Sequence, residues 1–430
     1  MTDYTLAELA AWNDRIEHLA AEFGLDYYEQ QFELCSAEDM LCYEAYTGMP
    51  SHYPHWSFGK AYERQKTFYQ YNLSGLPYEM VINSDPCLAY LMRDNTLLLQ
   101  ILTMAHVYGH NDFFKNNRLF QRDTRAELTL ETFKAHGDRV RAYIRDPGIG
   151  PDKVERILDA AHALRFQVSR TGLAKADSRQ ALAGERTETV PARLQNDLLA
   201  FLAAKGRLED WEQDLVTIVH AESLYFVPQM ETKIMNEGWA SYWHYRILQQ
   251  LALPQGLHLE FLQRHNLVIR PHPQQLNPYF VGFKLFEYLD RSLGREAIKE
   301  IRAGERDQSF LRRYLNEELC RELNLFAYAV EGDNMVVAEV ADEAGWQLIR
   351  DQLANSVGMG SIPAITPVAV EKGELILAHD YDGRELELGY AKETLKQVTA
   401  LWGDGVKLRT RLAGKEKLIC CNRLQEVIIV

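Results

Sequence analysis

The sequence has little of what marks a secreted, membrane or nucleic-acid-binding protein. Its six cysteines (Cys35, Cys42, Cys87, Cys320, Cys420 and Cys421) form no CxxC pair and sit mostly in apolar surroundings. They read as reduced thiols rather than a disulfide framework. Basic charge is in deficit, 47 Lys and Arg against 61 Asp and Glu, and the net charge of −14 argues against a nucleic-acid partner. The uncharged stretch between Asn95 and Gly109 is too short and too polar to span a bilayer. The N-terminal residues lack the basic and apolar regions of a secretory signal, so a cytoplasmic location is expected. There is no P-loop, no GxGxxG and no internal repeat. What remains is an ordinary globular composition of 430 residues, 47% hydrophobic and 25% charged. That length suffices for two or three domains and a large core.

The rest of the chain is organised around Ile101-Leu-Thr-Met-Ala-His106-Val-Tyr-Gly-His110. Leu98, Leu99 and Leu102 supply a helical apolar repeat, which predicts a buried helix. His106 and His110 lie one turn apart on the same face, from which two imidazoles reach one metal ion. Histidines recur at this spacing by chance, so the pattern alone is a weak signal. Asp112, just beyond, is either a partner for one imidazole's second nitrogen or a surface cap. Residues 5–23 read as an amphipathic helix closing near Gly24, and Tyr78–Asp85 as a short strand. Gly48, Pro50, Pro54 and Gly59 predict a ring-rich loop over residues 43–60, with His52 and His55 structural before they are ligands.

A helix is expected from Glu209 to Phe226, with Leu215, Ile218, Val219, Tyr225 and Phe226 on one stripe and Glu222 among them. A buried lone carboxylate is costly unless a cation, a metal or a proton satisfies it. Glu222 therefore reads as a general base, or as half of an ion pair with Lys233 or an arginine. His220 falls off the stripe and is expected in solvent. The next helix, opened by Thr232 and closed before Pro254, carries Glu237, Ser241 and His244 on one side. His244 reads first as a group behind the ligands and second as a fourth ligand. His258, His265 and His272 look like surface residues of a Pro-rich connection, and Asn277-Pro-Tyr279 opens another helix. Residues 173–195 read as a mobile insertion, with a lid or docking segment as the alternative.

Asn236-Glu237-Gly238-Trp239-Ala240 resembles the Asn-Glu-Gly-aromatic-Ala helix of gluzincin aminopeptidases, whose Glu is the third zinc ligand. The resemblance implies a zinc set of His106, His110 and Glu237 with a fourth position open to water. It also suggests Tyr279 or His244 as the group that meets the oxyanion of amide hydrolysis. One position departs from it. Where those peptidases carry their general base, directly after the first His, this chain has Val107, and Glu222 is the expected substitute. Two histidines and a carboxylate suit iron(II) as well as zinc.

The segments YTGMPSHYPHWSFGK, YEMVINSDPCLAYLM, AHVYGHNDFFKNN, PQMETKIMNEGWASYWH and NPYFVGFKLFEYL, in that order from about residue 40 to residue 290, resemble the stage V sporulation protein R family. The resemblance implies a bacterial protein, tied to cortex formation in spore formers and elsewhere to stress or stationary phase. It implies as partners a AAA+ serine protein kinase and a von Willebrand factor A-like protein.

Near residue 323 the periodicity changes. Phe326–Val330, Met335–Val340, Ala364–Val370, Glu374–His379, Val406–Leu412 and Leu418–Val430 read as strands, with helices at Trp346–Leu353 and Tyr390–Leu401 and hairpin turns at Glu331-Gly-Asp-Asn334 and Tyr381-Asp-Gly-Arg384. The expectation is a mainly α domain over residues 1–322, with gluzincin-like helices and the metal site. A smaller α+β domain with a mostly antiparallel sheet and no catalytic cluster follows over residues 323–430. Two functions remain open. One is a zinc-dependent hydrolase of amide or peptide bonds. The other, favoured by Val107, is a non-catalytic regulatory or scaffold protein built on a degenerate metallopeptidase.

Overall fold

The uncharged run after Asn95 forms a 20-residue helix, Leu97–Asn116, buried without a break from Leu98 to Phe114. The Thr96 hydroxyl caps it by accepting from the Leu99 amide. In the computed structural model, which describes residues 4–71, 77–170, 187–271, 276–331, 334–342 and 345–430, this helix is the centre of a mainly helical body. Helix Lys233–Gln250 packs along it, and helix Pro278–Leu293 packs along Lys233–Gln250. Glycines set both approaches. A Cβ on Gly109 would lie 2.6 Å from Ala240 Cα, and one on Gly282 would lie 2.1 Å from the Ile234 carbonyl oxygen. No side chain fits at these crossings, so the backbones themselves touch.

Thr232 precedes the second helix as expected but does not cap it: its hydroxyl donates back to the Pro228 carbonyl. The free amides of Ile234 and Met235 donate instead to the two carboxylate oxygens of Asp307, at 2.8 and 2.9 Å. A distant acidic group thus does the work usually done by a local one. The amphipathic N-terminal helix, Leu6–Glu22, carries a Thr5/Glu8 capping box and packs on the central helix. Beside it lies a three-stranded sheet in the order Gln30–Cys35, Cys87–Met92, Glu79–Ile82, parallel at the first pairing and antiparallel at the second. The loop expected over residues 43–60 is shorter than that. Helix Ala37–Ala45 precedes it, and helix Trp56–Gln70 contains Gly59, where a Cβ would meet nothing. An exposed helical glycine costs only about 1 kcal/mol, which neighbouring residues outweigh.

The chain divides into two compact units, neither of them one continuous stretch. The first comprises Met1–His52, Trp56–Lys134 and Pro228–Gly358; the second comprises Tyr53–His55, Ala135–Val227 and Met359–Val430. The units therefore do not follow a single cut after residue 322. The hairpin Ala327–Glu331/Asn334–Glu339 and helix Gly345–Ser356 lie in the first unit.

The second unit holds a six-stranded sheet in the order Val427–Ile429, Lys415–Cys421, Val406–Leu412, Glu374–His379, Ile365–Glu371, Thr187–Thr189. Every pairing is antiparallel except Glu374–His379 with Val406–Leu412, which helix Leu388–Trp402 connects as a crossover, so the turn at Tyr381–Arg384 leads into that helix and does not close the expected hairpin. That helix packs on helices Pro151–Ala163 and Leu198–Lys205, with the Phe201 and Trp402 rings stacked 5.8 Å apart. The fold is a mainly helical N-terminal region followed by a smaller region with a mostly antiparallel sheet, as the periodicity predicted.

Of the insertion expected over residues 173–195, the part up to residue 186 lies outside the described residues. The remainder is not structureless, because Thr187–Thr189 adds an edge strand to the sheet. His272 and the Gly332-Asp333 turn also lie outside the described residues. Among those described, no helix is long and apolar enough to cross a membrane.

Candidate metal centre

The glycine crossing brings the two motif helices together face to face. His106, His110 and Glu237 present ligand-capable atoms that all lie within 4.8 Å of one another. His110 Nε2 is 3.6 Å and His106 Nε2 is 3.9 Å from Glu237 Oε2. Both histidines are buried, at 3% and 7% exposure, while Glu237 keeps partial access to solvent.

The second ring nitrogens have partners as well. His110 Nδ1 lies 2.9 Å from Asn236 Oδ1, an acceptor, so its proton sits on Nδ1 and the Nε2 lone pair faces Glu237. His106 Nδ1 lies 2.9 Å from His244 Nδ1, and His244 Nε2 lies 2.8 Å from His265 Nδ1, an unbroken chain of three imidazoles. Burial favours the neutral, metal-binding form of His110, His244 and His265. It pushes His110 and His265 down to about 4 and His244 well below its ordinary range, with the neighbouring imidazoles acting in the same direction.

Tyr279, second residue of helix Pro278–Leu293, stacks on His106 at 6.1 Å with its hydroxyl beside Glu237. The Glu237 charge, then burial, raise its phenol far above the ordinary value, so the hydroxyl is a donor. Burial opposes ionisation of Glu237, but the neighbouring His106 and His110 rings, with the Tyr279 hydroxyl, outweigh it and hold the carboxyl low.

A further carboxylate was not foreseen. Glu79, first residue of strand Glu79–Ile82, places Oε1 4.0 Å from His106 Nε2. Burial, with Glu237 adding and His106 opposing, pushes its carboxyl up to about 7. Its sequence signal is faint: one acidic residue at the head of the short apolar run Met80-Val-Ile82.

Other expectations changed place. Glu222 belongs to the second unit, where it is buried and lies 3.0 Å from His136 Nδ1. The apolar stripe correctly marked it as a buried carboxylate needing a partner, but could not say which. Asp112 is buried and holds no imidazole. It accepts from Trp239 Nε1, Arg302 Nη1 and the Asp26 amide, tying the two motif helices to each other. His220 is not free in solvent, because its Nε2 lies 2.9 Å from Asp197. His265 is no surface residue: it is 3% exposed on helix Gln255–Val268 and packs against Tyr245 and Phe283. Its i, i+4 spacing from Phe261 was the available sign, overridden by the prolines on either side.

Val107, where a HExxH helix has its glutamate, is fully buried in the core. Each residue of Asn236-Glu237-Gly238-Trp239-Ala240 has a separate duty. Asn236 orients His110, Glu237 faces the site, Gly238 meets Gly282, Trp239 donates to Asp112, and Ala240 lies against Gly109.

Comparison with known proteins adds the lineage. The family model described as SpoVR like protein matches residues 3–189 and 173–362, and the SpoVR-like C-terminal domain matches residues 369–413. An uncharacterized protein of Escherichia coli (strain K12), YcgB, is 32% identical over 94% of this chain and 92% of its own. No solved structure matches the chain. The matches cover the helical region and the sheet region alike, and the chain belongs to the SpoVR-like protein family.

Proposed function

We propose that this protein is a metal-dependent hydrolase of amide or peptide bonds, with zinc held by His106, His110 and Glu237. One observation carries the reading. Two imidazole nitrogens and a carboxylate oxygen converge, a second carboxylate stands beside them, and no Lys or Arg pairs with Glu79 or Glu237 among the described residues. A largely buried anionic site without its own counter-charge suits a divalent cation, and the donor set is one that zinc and iron(II) both accept. Zinc would supply Lewis acidity there, polarising a carbonyl and easing deprotonation of water.

The chain's own groups divide the remaining work. Glu79 accepts the proton that Val107 cannot. The Tyr279 hydroxyl, kept protonated beside Glu237, offers a hydrogen bond to oxyanion charge. Asn236 keeps the His110 ring turned toward the site. Peptides related to cell-wall precursors are the substrate class suggested by the family's tie to cortex formation.

A second reading takes Val107 at face value. The protein is then a regulatory partner of a AAA+ serine kinase and a von Willebrand factor A-like protein, and the metal holds the two helices together. Metal content of protein purified without added metal, measured by mass spectrometry beside His106→Ala and Glu237→Ala, tests the site. About one zinc per chain, lost in both variants, is expected. Stoichiometric iron would redirect the chemistry to oxidation, and no metal after reconstitution would sink the hydrolase.

A further inference from the structure

The imidazole chain extends two residues beyond any ligand. A single proton lies between His106 Nδ1 and His244 Nδ1, and another between His244 Nε2 and His265 Nδ1. In neutral rings these two protons are not independent, because each imidazole carries one N–H and one lone pair. If His106 donates from Nδ1, His244 must accept there, carry its proton on Nε2 and donate to His265. If His265 donates instead, every bond reverses and His106 is left with its proton on Nε2, the atom that faces Glu237 and Glu79 at 3.9 and 4.0 Å. Those carboxylates favour the reversed direction while no cation is bound. A cation on His106 Nε2 permits only the first.

We propose that His265, acting through His244, is a positioning residue for the His106 site: it is the terminal acceptor that lets the chain run outward when a metal binds. This rests on the metal reading above. The surroundings fit the role. His244 is 0% and His265 3% exposed, so water does not replace either bond. The His265 ring is held by stacking on Tyr245 at 4.5 Å and by the edge of Phe283 at 5.0 Å, which fixes the direction of Nδ1. A buried His244 Nε2–H without an acceptor would disfavour the metal-binding tautomer.

The test uses the full chain with His265→Leu and His265→Asn, where the asparagine oxygen takes the place of the ring acceptor. Zinc affinity is read by competition with a chromogenic chelator, and the His244 tautomer by side-chain nitrogen NMR with and without zinc. The leucine variant is expected to bind zinc about tenfold more weakly, the asparagine variant close to wild type. In wild type, His244 is expected to carry its proton on Nδ1 without zinc and on Nε2 with it. Equal affinity in the leucine variant, or a His244 tautomer indifferent to zinc, would overturn the proposal. If wild type takes up no zinc, the metal reading fails separately. The chain is then judged in metal-free wild type, where protons on Nδ1 of both His244 and His265 support the coupling and a proton on Nε2 of either refutes it. Thermal unfolding of both variants separates loss of the bond from loss of the fold.

Discussion

Glu79 can serve this site in two ways, as the acceptor of a proton or as one more ligand, and a single substitution separates them. Glutamine at position 79 keeps the shape and one acceptor oxygen but takes up no proton at neutral pH. As proton acceptor, Glu79→Gln is expected to retain its full zinc content and lose turnover by roughly 10²- to 10⁴-fold. Metal analysis beside a hydrolysis assay on the wild-type substrate checks this; loss of zinc with Glu79→Gln would make the residue a ligand. The contrast with Glu222 shows what one sequence can reveal at this scale. Helical spacing correctly marked Glu222 as buried, since burial is a property of its own helix. Which carboxylate faces the histidines is decided by a four-residue strand whose position comes from sheet pairing. No local pattern encodes that.

Between elements, the close helix crossings are the weakest points to alter. A methyl group on Gly282 would sit 2.1 Å from the Ile234 carbonyl and 2.6 Å from Gly238 Cα, so one backbone has to move. Gly282→Ala is expected to cost about 1–3 kcal/mol in urea unfolding and to lower zinc content, since the same shift displaces Tyr279 and Glu237. Retained stability with full zinc would show that the crossing adapts.

In the sheet unit, Asp404 accepts from Arg423 and from Arg207 at 3.0 Å, joining the end of one helix to the ends of a strand and a second helix. The Arg423 bonds hold its carboxyl well below the ordinary range. The unfolded chain takes up that proton near pH 4 while the folded chain resists, so the contribution is complete above about pH 4 and drains away below it. Asp404→Asn should therefore be less stable near neutrality and show a flatter acid limb in unfolding measured between about pH 2 and pH 6. Helices and hairpins of this kind were legible because their periods are local. The parallel pairing of Glu374–His379 with Val406–Leu412 was not, since a crossover and an antiparallel return leave the same alternating pattern in the strands.

At the scale of the molecule, composition and periodicity suggested two domains in succession, and the chain instead builds its units from interleaved stretches. The reason lies in what covers the sheet. Helix Leu388–Trp402 buries Leu395, Val398 and Leu401, and it packs on Pro151–Ala163 and Leu198–Lys205, which precede it by about two hundred residues. Those earlier helices are apolar on the matching side, with Val154, Ile157 and Leu158 on one and Leu199 and Leu202 on the other buried. A fragment of residues 323–430 would carry all the later strands and lack both helices. It would also bring helix Gly345–Ser356, whose buried Ile349 and Ala354 belong to the core of the first unit. Such a fragment exposes apolar surface on two elements at once and should show no cooperative thermal transition, with strong binding of a hydrophobic dye. A sharp transition without dye binding would mean that the sheet closes its own core. The change of periodicity near residue 323 would then mark a true folding boundary.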